Sequence, residues 1–430
     1  MGKELERDLG LPSVTAISIG AMVGSGIFIL PGLAMKMAGP AVAFAYLLAG
    51  VLVLAAALSK SEMATAMPEA GGTYLYIERA MGPLFGTIAG VGTWFSLIFK
   101  GALALVGGAP YLVLLLDVPA EPLAFGVALV LIVVNIVGVK QTGRMQIVIV
   151  AVMLAVMVWF IVAGTPSVES ARFEGFFESG FEGIVGATGF VFVSYAGVTK
   201  IASVAEEVEN PDRNLPLGIL GSLFVTTLIY IAIVTVMVGV ASQADLTSTD
   251  TPMQVAADSA LPAIGATAVI VAALLALIST ANAGILSSSR YPFAMSRDDL
   301  APGLFEDVSD RFETPVNAIT LTGAVLLGLL FLPVDQIAKL ASAFQILVFM
   351  LINAAVIAFR QGSIEAYDPS FESPLYPVPQ LFGIVGGVVL PGYIGPVPLA
   401  GAVLIPVGAM VWYYALVYRP GGGGRAGAMP

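Results

Sequence analysis

The chain has 430 residues, 58% of them hydrophobic and only 11% charged, with a mean hydropathy of +0.95. A soluble domain carries about 25% charged residues, so this composition excludes one and defines an all-α polytopic membrane protein. The chain contains neither Cys nor His, which excludes thiol and disulfide chemistry and removes the usual proton carrier and the commonest metal ligand.

Net charge is −11, and the acidic excess lies in loops and ends: Glu4, Glu6 and Asp8, then Glu174, Glu178 and Glu182, then Asp245, Asp250 and Asp258, then Asp298, Asp299, Glu306, Asp307 and Asp310. A salt-adapted prokaryotic proteome produces such a surface, because high salt screens the repulsion; ordinary solvated loops are the alternative. The first eight residues are short and polar and form no cleavable signal, and Glu6 stands where a myristoylation signal needs Ser or Thr.

Apolar runs then follow at 14–38, 41–66, 84–116, 122–139, 145–164, 183–208, 216–241, 262–295, 316–332, 336–359, 378–394 and 398–418. Each approaches or exceeds the ~20 residues that cross a bilayer as a helix, with 316–332 and 378–394 marginal. The pattern predicts about 12 transmembrane helices with both termini on one side. Lys and Arg orient them. With the N-terminus cytoplasmic, 14 of the 18 basic residues fall at inner positions: Lys3, Arg7, Lys60, Arg79, Lys140, Arg144, Lys200, Arg213, Arg290, Arg297, Arg311, Arg360, Arg419 and Arg425. Lys36 and Arg172 fall outside, while Lys100 and Lys339 lie within runs. The expected topology is N-in and C-in, in the plasma membrane.

The first run is weakened at its centre by Gly24-Ser-Gly26. Glycine costs about 1 kcal/mol against alanine in a helix interior. An unpaired backbone group in hydrocarbon costs several kcal/mol more, so a break at mid-depth must face protein or a water-filled cavity. Either a ligand binds there, or small residues let two helices pack closely. The sixth run repeats the feature, with Ser194, Tyr195, Ala196 and Gly197 at mid-depth. Five spans per half force the second half to be inverted, and paired interruptions in inverted halves mark a transporter binding site. That pairing favours binding over packing.

Gly20-Ala-Met-Val-Gly-Ser-Gly-Ile-Phe28 resembles the first-helix signature of the amino acid–polyamine–organocation (APC) superfamily, whose members share the LeuT-type inverted-repeat fold. Four further stretches resemble that family in the same order: Glu62-Met-Ala-Thr-Ala-Met-Pro-Glu-Ala-Gly-Gly-Thr-Tyr74, Glu206-Glu-Val-Glu-Asn-Pro-Asp-Arg-Asn-Leu-Pro216, Phe293-Ala-Met-Ser-Arg-Asp-Asp-Leu-Ala-Pro302 and Thr314-Pro-Val-Asn317. The resemblance implies a single transporter domain over 1–430, made of a first five-helix repeat (13–164), an inverted second repeat (182–360), helices eleven and twelve (376–418), and a flexible glycine-rich tail (419–430). It also implies helices one and six unwound at mid-membrane, and uptake or exchange of amino acids by alternating access.

On that reading Gly24, Ser25 and Gly26 receive the substrate carboxylate at a helix N-terminus, where amides and dipole favour an anion. Carbonyls around Met22 and at Val193 and Ala196 accept from the α-ammonium, Gly197 lies in the same unwound stretch, and Tyr195 covers the site as a gate. A core tyrosine with a satisfied hydroxyl is the alternative for Tyr195. Lys100, near mid-membrane, is a candidate ion-coupling group by its position. Met153 stands where proton-coupled relatives carry a fifth-helix Lys, and Ser279 and Thr280 on helix eight are possible hydroxyl ligands for Na⁺. Na⁺, H⁺ and obligate exchange stay open. Glu62, Glu206 and Glu207 read as gate or loop-anchoring residues, or as solvated charges.

With no acid on the expected site walls, a neutral amino acid is the expected substrate; polyamines, cationic amino acids or a nutrient-sensing role are the alternatives. No cofactor is expected beyond Na⁺ or H⁺, no nucleic acid and no catalytic residue. The expected partners are the substrate, the lipid bilayer and, in a homodimer, a second copy; a monomer is equally compatible.

Overall fold

The computed structural model describes residues 9–68, 72–138, 143–362 and 367–417. The remaining stretches hold the first acidic residues, the Glu-Ala-Gly part of the loop after the second run, Lys140 and the glycine-rich tail, so those expectations lie outside the described residues. Among the described residues every regular element is a helix, and a single bridge between Leu9 and Val208 is the only β pairing.

The first run is three pieces: α1 (Leu11–Met22), α2 (Ser25–Phe28) and α3 (Leu30–Ala38). Then come α4 (Val42–Ala66), the short polar α5 (Gly72–Met81), α6 (Pro83–Val113), α7 (Ala120–Val137), α8 (Gly143–Gly164) and α9 (Gly180–Phe190). A 3-10 segment runs from Val191 to Glu207, followed by α10 (Pro211–Val240), α11 (Gln243–Ser248), α12 (Pro252–Ala260) and α13 (Ala263–Arg297). The chain closes with α14 (Val316–Leu329), α15 (Val334–Gln361), α16 (Val378–Ile394) and α17 (Pro396–Trp412).

Among the described residues nine helices are long and apolar enough to cross a membrane; Leu11–Met22, Val316–Leu329 and Val378–Ile394 are apolar but shorter. The last two are the runs whose length is marginal in the sequence. At ~1.5 Å per residue the 35 residues of α13 reach about 50 Å, well past a hydrocarbon core of ~30 Å, which is why its last turns carry Ser288, Ser289, Arg290 and Arg297.

Helices α6 and α13 lie against each other at the centre. Their backbones touch at a pair of glycines, where a Cβ on Gly284 would come 2.9 Å from the Gly101 Cα. Small residues permit this approach, and close packing replaces a hydrophobic drive that lipid does not supply. The outer helices are apolar all round and bury little: only 22% of α7 and 11% of the apolar stretch of the last span are covered by protein. Their exposed Val130, Val162, Leu404 and Val411 suit acyl chains. Helix ends follow the local sequence. Gly138, at φ 76, takes the left-handed position that stops α7 and donates to Val134 O. The Asn-Pro-Asp-Arg-Asn stretch before α10 is a built turn: Asn210 adopts φ 45, Pro211 starts the helix, and Asn214 Nδ2 returns to Glu209 O at 2.5 Å.

Candidate functional site

The helix-one break falls where the glycines predict it. Val23 (φ −73, ψ 117) and Gly24 (φ 178, ψ −128) are extended, and α2 restarts at Ser25. The sixth span differs from expectation. It is not unwound; at Val191, three residues before Ser194, it tightens from α to 3-10 winding and stays so for 17 residues. Runs of more than a few 3-10 residues are uncommon and often mark a hinge. Ser342 on α15 makes the switch possible: its hydroxyl donates to Phe190 O at 2.7 Å and accepts from the Val193 amide at 3.2 Å, satisfying both sides of the change of winding.

The two interrupted spans touch through backbone. A Cβ on Gly197 would lie 2.2 Å from Ala21 C and 2.4 Å from the Met22 amide nitrogen, and one on Gly26 would lie 2.6 Å from Ser194 Cβ. Met22, Ser25, Gly26, Val193, Tyr195, Ala196 and Gly197 are thus one buried cluster, with Gly24 at its edge against Thr280. The glycines produce the break and also the close approach. Both sequence readings describe the same residues.

A broken helix leaves carbonyls without ladder partners. Here four side chains from three other helices, α4, α6 and α10, cap them. Lys100 Nζ on α6 donates to Ala21 O at 2.7 Å, and the Tyr230 hydroxyl on α10 donates to Met22 O at 2.9 Å and Ser194 O at 3.4 Å. The Tyr46 hydroxyl on α4 donates to Gly26 O at 2.5 Å, and Tyr111 to Phe28 O at 2.7 Å. Tyr195 is fully buried and donates to Tyr46 O at 2.9 Å, so it is a satisfied core tyrosine in this arrangement. Its ring and that of Tyr46 both meet Tyr230 edge-on, with centroids 5.4 and 5.6 Å away. Tyr46, Tyr111 and Tyr230 escape a sequence reading because nothing in an apolar run says which carbonyl a tyrosine will reach; their one signal is a phenol in mid-span, which needs a partner when buried.

The coupling candidates separate. Lys100, 5% exposed, caps the C-terminal end of α1, where the helix dipole favours a cation. Thr280 Oγ1 is buried without a hydrogen-bond partner, beside Gly24: a Cβ there would stand 2.2 Å from it. Ser279 instead donates to Gln146 Oε1 on α8 at 3.3 Å, and Gln146 also lies against Gly20. Gln146, two turns before the buried Met153, is a polar neighbour that the sequence reading does not single out. Lys339 pairs with Asp335 one turn back at 2.9 Å.

At the far end of α4, Ser59, Lys60, Ser61 and Glu62 are all fully buried. The sequence places Lys60 among inner loop cations; in the structure it donates to Thr73 Oγ1 at 2.8 Å and lies over the Tyr76 ring, because α5 folds back across it. Glu62 anchors a loop. Its carboxylate takes Arg360 Nε and Nη2, each at 2.8 Å, the Tyr367 hydroxyl at 2.8 Å and the Ser373 amide at 2.8 Å. Burial and the Glu62 charge raise the Tyr367 pKa, which keeps its hydroxyl a donor. Glu62 is the only fully buried carboxylate among the described residues, and it is already neutralised.

These features define a multi-pass membrane protein with a polar, backbone-built centre. The chain belongs to the amino acid permease family, whose model matches residues 13–388. It is 30% identical to the branched-chain amino acid permease BcaP of Bacillus subtilis (strain 168), over 87% of this chain and 85% of that protein. It is 31% identical to the methylthioribose transporter of the same organism, over 96% and 94%. It is 30% identical to the vacuolar cationic amino acid transporter 2 of Arabidopsis thaliana, over 87% of this chain and 62% of that protein. All three relatives are transporters.

Proposed function

We propose that the chain is a secondary active transporter of neutral amino acids in the plasma membrane, working by alternating access on twelve crossings with inverted five-helix halves and both termini inside. The observation that carries the proposal is the Val23–Gly24 break lying in backbone contact with the 3-10 segment of the sixth span. A zwitterion needs donors for its carboxylate and acceptors for its ammonium. The first amides of α2, at Ser25 and Gly26, precede any intrahelical acceptor and supply the donors. Carbonyls at Met22, Val193 and Ala196 supply acceptors, Tyr230 yielding its contact at Met22 as substrate arrives.

A neutral side chain follows from electrostatics. A second cation on the substrate, beyond the α-ammonium, is best held by a carboxylate beside the break, and the one fully buried carboxylate among the described residues, Glu62, is bonded to Arg360 at the far end of α4. The similarity to a branched-chain amino acid permease supports the same class of substrate.

For coupling, the partnerless Thr280 hydroxyl beside the break favours Na⁺, a hard cation that hydroxyls and carbonyls suit. Proton coupling through Lys100 is the second reading, favoured by its burial against a single carbonyl. Uptake of a panel of labelled amino acids into proteoliposomes, with imposed Na⁺ or pH gradients, tests both. Saturable uptake of small or apolar neutral amino acids, stimulated by inward Na⁺, is expected. Absence of uptake and exchange under every gradient would refute the proposal.

A further inference from the structure

The loop between α15 and α16 is bonded to three helix ends at once. At its root Arg360, the last basic residue of α15, forks onto Glu62 of α4 and stacks its guanidinium over Tyr376, 4.4 Å from the ring centroid. Tyr367 lies flat on Phe359, with centroids 4.4 Å apart and planes within 4°, and donates to the same carboxylate. The Phe371 amide donates to Thr65 Oγ1 at 3.2 Å, and the Ser373 amide to Glu62 Oε2 at 2.8 Å. Ser370 Oγ reaches Asp212 Oδ1, at the start of α10, at 2.7 Å. Further in, Gln380 of α16 donates to Ser373 Oγ and Ser59 Oγ, and Ser59 donates to Asn353 of α15.

These partners lie on three helices, of which α4 and α15 are joined directly by the Glu62–Arg360 fork and by Ser59 on Asn353. Helices α4 and α10 supply Tyr46 and Tyr230, the hydroxyls that cap the broken first span, so they travel with it. Helix α15 meets the centre on the sixth span, where Ser342 bonds Phe190 O and the Val193 amide and Phe349 packs edge-on against Phe192, 5.5 Å between centroids. Residues 367–373, bonded to the ends of α4 and α10, therefore add α10 to the α4–α15 pair that the Glu62–Arg360 fork already joins, at the end of the bundle to which α1 and the 3-10 segment also run. There Leu9 pairs with Glu207 and Glu209.

We propose that residues 367–373, seated on Glu62, Thr65 and Asp212, are a latch that holds this end of the transporter shut and must leave its seat in every transport cycle. The inference rests on the alternating-access reading. Its chemistry suits a reversible seat. The Asp212 bond is a single exposed hydrogen bond and the Thr65 bond a single part-buried one, each exchangeable for water at little net change, while the Glu62–Arg360 fork is the fixed root that keeps the Glu62 charge paired when Tyr367 and Ser373 leave it.

The absence of cysteine makes the test clean, since any introduced pair is the only thiol pair present. D212C/S370C replaces a surface side-chain contact, and T65C/F371C is a second pair on the same seat. In proteoliposomes, oxidation should form the intramolecular disulfide, reduce uptake at least tenfold while equilibrium amino acid binding stays within twofold, and reverse fully on reduction. Uptake at the unoxidised rate by fully cross-linked protein overturns the latch. So does failure of both pairs to cross-link, because the seated loop would then not be populated. Loss of uptake in the native chain and in the reduced pairs alike would instead contradict the transport reading.

Discussion

Replacing Gly197 by alanine puts the contact between the two interrupted spans under direct strain. The added Cβ would stand 2.2 Å from Ala21 C, where ordinary contact begins near 3.4 Å, so the strands of backbone must part by about 1.2 Å. Neither neighbour is a side-chain tip that can swing away; the atoms met are Ala21 C, Ala21 O and the Met22 nitrogen. Overpacking of this kind costs about 1–3 kcal/mol. Parting the spans also stretches the Tyr230 hydroxyl away from Met22 O and Ser194 O, which it now bridges, at about 0.5–1.5 kcal/mol for a lost hydrogen bond. If half of that total falls on the substrate-ready geometry, affinity drops by roughly tenfold, since 1.4 kcal/mol is a factor of ten. The assay is equilibrium binding of a labelled neutral amino acid to purified protein, with thermal unfolding in parallel. Gly221→Ala is the control: it lies within α10 with nothing inside 4 Å of its added Cβ, and should leave binding unchanged while gaining up to about 1 kcal/mol of helix propensity. Binding by Gly197→Ala within twofold of the native chain would refute the claim that this contact shapes the site.

Gly26→Val should abolish binding while membrane insertion stays intact, because its branched side chain collides with Ser194 Cα and Cβ at the start of α2; retained affinity would remove Gly26 from the site. Thr280→Val should leave stability equal or higher, since it deletes a buried hydroxyl without a partner, yet abolish Na⁺ stimulation of uptake; Na⁺ stimulation at the native level would exclude this hydroxyl as a ligand. Lys100→Met should lower stability by about 1–3 kcal/mol by stranding Ala21 O, and full gradient-driven uptake in that variant would take Lys100 out of coupling. On α5, burial and then the Asp298 carboxylate raise the Glu78 pKa above its ordinary value of 4.5. A raised acid favours the folded state fully below that value and loses the contribution as pH climbs through the folded pKa, so acid should tighten the docking of α5 on α13. Thermal midpoints in detergent from about pH 4 to pH 8 should therefore fall more for the native chain than for Glu78→Gln. Parallel profiles would contradict the assignment.

Much of this molecule is legible from residue order because bilayer physics is so restrictive. Apolar runs have to be helices, and a Gly24-Ser-Gly26 cluster inside one has to break it or pack it; here it does both. The marginal length of 316–332 and 378–394 also carries through to two of the three shorter apolar helices. What does not transfer is pairing. Apolar periodicity is the same whether a span closes hydrogen bonds over four residues or three, so the 3-10 winding from Val191 is invisible until Ser342 is placed beside Phe190 O. Lys100 has no partner within reach in sequence, because its acceptor, Ala21 O, is 79 positions away. Lys60 counts as an inner cation by the charge rule, yet α5 covers it completely. Glu62 stays open in sequence between a gate, a loop anchor and a solvated charge, because its loop partner Tyr367 lies 305 positions later. The elements follow from local chemistry, and the site follows from contacts between elements.

The central claim is that backbone groups at the interrupted first span hold both poles of a zwitterion. Competition against uptake of a labelled neutral amino acid tests it most directly, using three competitors with one side chain: the free amino acid, its methyl ester and its deaminated acid. The account predicts that the free amino acid competes, while either truncated analogue is at least a hundredfold weaker, because each leaves one set of buried backbone groups unpaired. Equal competition by the ester or by the deaminated acid would contradict it.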